Sequence, residues 1–105
     1  GQFILNDGVA NGERILPAGW VREATSAKTL EGGAPLAYGY LWWPGTSEAA
    51  KRDRSFEAVG IYGQHIYVNP AARVVIVVWS AQAKPVGSEV VDDWTFFEAV
   101  VNAVR

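Results

Sequence analysis

The chain has 105 residues, half of them apolar and 19% charged, a composition that fits one globular domain or part of one and excludes a disordered polymer. A net charge of -2 gives no basic footprint for nucleic acid. The chain has no cysteine and only one histidine, His65, so a disulfide framework and a thiolate metal site are excluded and no metal site is expected.

No apolar run approaches the ~18 residues of a membrane helix; the longest spans Val74 to Trp79. Neither a basic start nor a cleavage pattern of a signal peptide is visible in GQFILNDG. The chain lacks methionine and opens on an apolar stretch without a cap residue. The expectation is therefore that residue 1 continues from upstream polypeptide.

In chain order, residues 3–8 (FILNDG) read as the last turn of a helix stopped by Asn6, Asp7 and Gly8. Asn11-Gly12 marks a turn. Pro17 suits the first residue of a short helix through PAGWVREATSA, weakened by Gly19. Residues 28–37 form a loop rich in glycine and proline. Residues 38–43 (YGYLWW) read as an aromatic strand ended by Pro44-Gly45. Residues 46–55 are a polar connection with room for a helical turn. Its cations Lys51, Arg52 and Arg54 are interleaved with Asp53 and flanked by Glu48 and Glu57, the pattern of a solvated segment and not of an anion site.

FEAVGIYGQHIYVN, from residue 56, predicts one long bent strand or two joined ones, interrupted at Gly60 and Gly63. Glycine in a strand marks a bulge or a close approach of backbone or ligand. PAAR then turns the chain into VVIVVWSA, residues 74–81, whose unbroken apolar run suits a strand covered on both faces. The final segment predicts a helix capped by Ser88, with Glu89, Asp92 and Asp93 at its positive end. Val90, Val91, Trp94, Phe97, Val101 and Val104 share its apolar face.

The fold class that follows is α+β: an antiparallel sheet of about three strands, flanked by helices. The C-terminal helix covers one sheet face, and too little helix precedes residue 30 to cover the other. Upstream polypeptide of the same domain, or a second chain, is expected there.

Nucleophile patterns are incomplete. No Gly-x-Ser-x-Gly elbow occurs, and the only Ser/Thr-x-x-Lys spacing, Thr25 to Lys28, carries a threonine. Tyr67-Val68-Asn69 reads as a hairpin entry, and His65 as a strand residue with a satisfied ring. The aromatic cluster Tyr38, Tyr40, Trp42 and Trp43 suits either core packing or a wall of a substrate pocket. A backbone N–H just after Gly60, that of Ile61, could face a developing oxyanion, because glycine leaves the backbone open to approach.

As an ordered string, NDGVANGERILPAGWVREAT, YGYLWWP, FEAVGIYGQHIYVNPAARVVIVVWSA and the final helix resemble the C-terminal portion of the β-lactamase-related serine hydrolases. These include class C β-lactamases, family VIII esterases and, most closely, the 6-aminohexanoate-dimer hydrolases. The resemblance covers essentially all of residues 1–105 and implies one segment of a single β-lactamase-like domain. It implies an acyl-serine enzyme without cofactor or metal, acting on a small linear amide or ester. The nucleophilic Ser-x-x-Lys and the assisting Tyr lie in other parts of such chains.

Ala58-Val59-Gly60 stands where these enzymes carry a third motif, Lys/His-Thr/Ser-Gly or Trp-x-Gly. It keeps the glycine and lacks the cation and hydroxyl, which suits an apolar substrate body over a β-lactam carboxylate. The resemblance implies Gly60 and the Ile61 N–H as catalytic elements. It implies Val59, Tyr62 and Trp42 or Trp43 as substrate contacts. The bacterial compartment, cytoplasm or periplasm, stays open. The competing reading is a stand-alone aromatic-faced binding module without catalysis.

Overall fold

A computed structural model describes residues 1–105. Its centre is a four-stranded antiparallel sheet of β5 (Trp43–Pro44), β6 (Phe56–Gly60), β7 (Gln64–Asn69) and β8 (Val74–Val78), in that spatial order. Before it come α1 (Gln2–Leu5), the hairpin β1 (Val9–Ala10) and β2 (Glu13–Arg14), α2 (Trp20–Ala24), and the hairpin β3 (Lys28–Thr29) and β4 (Pro35–Leu36). α3 (Glu48–Asp53) joins β5 to β6, and α4 (Asp93–Val104) follows β8.

Strand alternation sorts the sheet residues onto two faces. The register pairs Glu57 with Tyr67 and Tyr67 with Ile76, so these three share a face. On that face Tyr67, Phe97 and Val101 are buried, and Val74, Ile76, Val78 and Trp94 pack around them. The Tyr67 and Phe97 rings stack at 4.8 Å, and Trp94 meets Tyr67 edge-on at 5.5 Å. α4 therefore closes this face with its aromatic stripe.

Phe56, Ile66, Val68, Val75 and Val77 lie on the opposite face. α1 covers part of it: a side chain on Gly1 would stand 2.4 Å from Val75 Cγ1 and 3.3 Å from Ile66 Cγ2. Val77 and Trp79 beyond it remain exposed, Trp79 at 88%. One covered face, and one covered only where short N-terminal elements reach it, is the arrangement the sequence predicts.

Several expectations change. The aromatic segment 38–43 is not a strand except at Trp43. The Gly39 N–H donates to the Trp42 carbonyl and Leu41 takes a positive φ of 67°, so the chain folds back on itself. The rings then pack sideways, Tyr38 tilted against Trp43 at 4.2 Å and Trp20 stacked on Tyr40 at 5.8 Å. α2 begins at Trp20 and not at Pro17, because Gly19 sits at φ 82°, outside helical space. Residues 28–37 contain a small hairpin instead of an open loop.

The polar connection forms a true helix, α3, because Ser47 caps it by accepting from the Ala50 N–H at 3.0 Å. α4 starts at Asp93, five residues after Ser88. Asp92 is the cap and accepts from the Thr95 N–H at 2.8 Å. Val90 and Val91 accordingly lie outside the helix and are exposed.

The glycine-interrupted stretch resolves into two strands. Gly60 pairs with Gln64 and closes the ladder over Ile61, Tyr62 and Gly63. Tyr62 and Gly63 take φ 67° and 83°. Gly63 is thus a reversing residue of a hairpin loop and not a bulge, since two successive left-handed residues turn the chain back. PAAR is the second hairpin turn, between Asn69 and Val74, as expected.

Candidate active site

β5 pairs with β6 only at Phe56 and Glu57. The Ser55 carbonyl accepts from the Gly45 N–H, so the odd-numbered backbone groups here face the β5 side. Past Glu57 that edge has no partner strand, and alternation carries the same direction on to Val59, with Ile61 just beyond the strand end. No turn or loop hydrogen bond uses the Ile61 N–H, whereas the Tyr62 N–H donates to the Pro85 carbonyl at 2.9 Å.

Beside this free edge lies a cleft of about 440 Å³. Trp43, Glu57, Val59, Gly60, Ile61 and Trp94 line it. The structure thereby separates the two tryptophans. Trp43, opposite Glu57 in the register, reaches the cleft, while Trp42 packs edge-on against buried Phe56 at 5.2 Å. Tyr62 is not part of the cleft lining; the loop after β8 holds its backbone through Pro85 and Gln82.

Gly60, the last residue of β6, has no positive φ, and a Cβ there would point at Gln64, 3.2 Å from its Cβ. Its smallness therefore makes room for the cross-strand neighbour at a position that also lines the cleft. A larger cavity, about 750 Å³, lies by α1, α2 and α3 on the Phe56 side and contains none of Val59, Gly60 or Ile61. Size alone does not mark the chemistry, because the free strand edge opens into the smaller cleft.

Behind the cleft wall is a buried polar chain. His65 Nδ1 lies 2.9 Å from Glu57 Oε2, and His65 Nε2 lies 3.2 Å from Asp93 Oδ2. Trp94 Nε1–H donates to Glu57 Oε1 at 2.8 Å. The ring of His65 is satisfied, as the sequence suggests. Burial pushes the Glu57 carboxyl above its ordinary value, and the His65 and Trp94 contacts pull it partly back. These partners escape sequence reasoning because they stand 8, 28 and 37 positions apart. Strand alternation, which puts Glu57 and His65 on the helix face, is the one signal that could have paired them.

A second buried carboxylate, Asp53, accepts from Arg52 Nε at 2.9 Å, from Asn69 Nδ2 at 3.0 Å and from Arg105. Hydrogen bonds from Arg52, Asn69 and Arg105 hold its carboxyl well below the usual carboxylate range, against the opposing effect of burial. Lys51 pairs with Glu48 at 2.9 Å. Two of the three cations of this cluster, Lys51 and Arg52, thus pair with carboxylates of their own segment.

The chain shows no assembled nucleophile. The Thr25 hydroxyl donates to the Val21 carbonyl at 2.8 Å, and Lys28 pairs with Glu23 at 3.1 Å. Tyr67 is 1% exposed within the core. The Ala72 N–H donates to Asn69 Oδ1 at 2.9 Å, which makes Asn69 a hairpin-turn residue. No group of three His, Cys, Asp or Glu side chains stands close enough to hold a metal. No helix is long and apolar enough to cross a membrane.

An antiparallel sheet closed on one face by a C-terminal helix, with a free strand edge opening on an aromatic cleft, is an α+β arrangement consistent with a β-lactamase-like fold. No family profile matches the chain. It is 30% identical over 94 residues to 6-aminohexanoate-dimer hydrolase of Paenarthrobacter ureafaciens, a match covering 81% of this chain and 23% of that protein. A solved Bacillus anthracis structure that carries a provisional 6-aminohexanoate-dimer hydrolase description superposes with a TM-score of 0.76 at 28% identity. That match covers 98% of this chain and 26% of the other. By sequence and fold the chain is similar to these 6-aminohexanoate-dimer hydrolases, and it spans about a quarter of their length.

Proposed function

We propose that this chain supplies the sheet and one wall of the active site of a serine hydrolase that cleaves a linear amide or ester through an acyl-serine intermediate. The observation that carries the reading is the unpaired Ile61 N–H at the end of β6, beside the cleft formed with Trp43 and Val59. In the reaction the serine oxygen attacks the substrate carbonyl and the carbonyl oxygen becomes negative. The Ile61 N–H is one donor to that oxygen, and the serine's own N–H is the other. Trp43 and Val59 hold the apolar body of the acyl chain.

The names of the relatives support an amide as the substrate class. The nucleophile and its proton acceptor come from polypeptide outside residues 1–105. That polypeptide also covers the exposed Val77 and Trp79.

The test is an amide-to-ester replacement at Ile61 in an enzyme containing this segment together with its nucleophile region. Loss of one oxyanion donor lowers kcat by about 10²–10³ with little change in KM. Unchanged kcat would remove Ile61 from the reaction. The chain of 105 residues alone should resist labelling by a serine-directed phosphonate; stoichiometric labelling would place a nucleophile within it.

A further inference from the structure

Both ring nitrogens of His65 face carboxylate oxygens, Nδ1 to Glu57 on β6 and Nε2 to Asp93 on α4. A neutral imidazole carries one N–H, so it satisfies one of these contacts and turns a lone pair toward the other. With both carboxyls ionised, only the doubly protonated ring bridges both. The remaining surroundings are uncharged: Val78 stands opposite on β8, and the Phe97 ring of α4 lies edge-on at 5.6 Å.

The two ends differ. The Glu57 side chain is 7% exposed and the Asp93 side chain 32%. Water can replace His65 at Asp93, whereas Glu57 has no other partner for Oε2. The proton lost is therefore the one on Nε2, and the ring keeps Nδ1–H on Glu57.

We propose that Glu57, His65 and Asp93 form a proton-operated tie between the sheet and the first turn of α4. With both ring protons present, His65 binds β6 and β7 to Asp93. Loss of the Nε2 proton releases the Asp93 end. The helix keeps its start, because Asp92 still caps it through the Thr95 N–H. What loosens is its attachment to the sheet. Trp94, the next residue, lines the cleft together with Glu57, so the tie governs how firmly that wall is held.

The experiment is a pH titration of the ¹⁵N-labelled chain by NMR, following the His65 ring, the amides of Asp93 to Phe96 and the Trp94 indole N–H. The α4 signals should move with the same midpoint as the His65 ring, and the high-pH ring should retain Nδ1–H. In Asp93→Asn the ring should still titrate while the α4 signals no longer follow it. His65→Gln should abolish the α4 transition, and Asp93→Asn serves alone where that variant does not fold. The proposal is overturned if α4 stays still while the ring titrates, if the ring does not titrate in the folded chain, or if Nε2–H is the proton retained.

Discussion

Trp94 and Glu57 stand 37 residues apart in sequence and 2.8 Å apart in the fold, the indole N–H donating to the carboxylate. The contact joins the first turn of α4 to the strand that carries the candidate oxyanion donor. The same indole packs over Gly45, where a Cβ would meet the ring at 2.8 Å and Ala50 Cβ at 2.3 Å. One side chain thus fixes a polar and an apolar neighbour together.

Trp94→Phe keeps most of the apolar ring and removes the donor. It leaves Glu57 Oε1 buried without its partner, which costs about 1–3 kcal/mol. Urea unfolding should show a lower midpoint with an unchanged slope. An unaltered midpoint would mean that the indole N–H adds nothing.

Glu57 sets one limb of the pH dependence. Its folded carboxyl is raised above 4.5 by burial. The folded chain therefore holds that proton to higher pH than the unfolded chain does. The contribution is fully present below the ordinary value and is lost as pH rises through the folded one. Glu57→Gln should flatten the fall in stability that begins above about pH 4.5. Denaturation midpoints measured at intervals across that window check it.

Asp53 sets the opposite limb. Its folded carboxyl lies below the ordinary 3.8. Its contribution is present above that value and lost as pH falls through the folded one. Asp53→Asn should lower the midpoint at pH 7, where the Arg52, Asn69 and Arg105 contacts are strongest. It should also weaken the further loss on acidification below about pH 4. A variant whose acid limb matches the parent would show that Asp53 is not its source.

Gly39 has no room for a side chain. A Cβ would stand 2.0 Å from the Ala24 carbonyl oxygen and 3.1 Å from that of Ser26. Both are backbone atoms, so neither can swing aside. Gly39→Ala should destabilise by about 1–3 kcal/mol or prevent folding, as overpacking does. Gly12→Ala, at a site with nothing within 4 Å but φ 76°, should cost less. Thermal unfolding of the two variants side by side gives the comparison.

Much of the fold was legible in the residues. β6, β7 and β8, the PAAR turn and the aromatic face of the last helix follow from short-range pattern, because apolar periodicity and turn chemistry act over a few positions. Boundaries failed where two local signals competed. Ser88 and Asp92 are both cap residues, and packing of Trp94 and Phe97 on Tyr67 favours the start at Asp93. The run YGYLWW has strand composition, yet the Tyr40 N–H bonds back to the Ala24 carbonyl and its ring stacks on Trp20 instead.

The sequence by itself determined the α+β class and the absence of a nucleophile pattern. These rest on residue identity and near-neighbour spacing. Only the tertiary structure decided that Trp43 and not Trp42 reaches the cleft, that Gly63 reverses a hairpin, and that His65 lies between Glu57 and Asp93. Those outcomes depend on strand register and on where α4 lands. A one-residue change in register moves a side chain to the other face of the sheet, and nothing local to Trp42 and Trp43 states which face each will occupy.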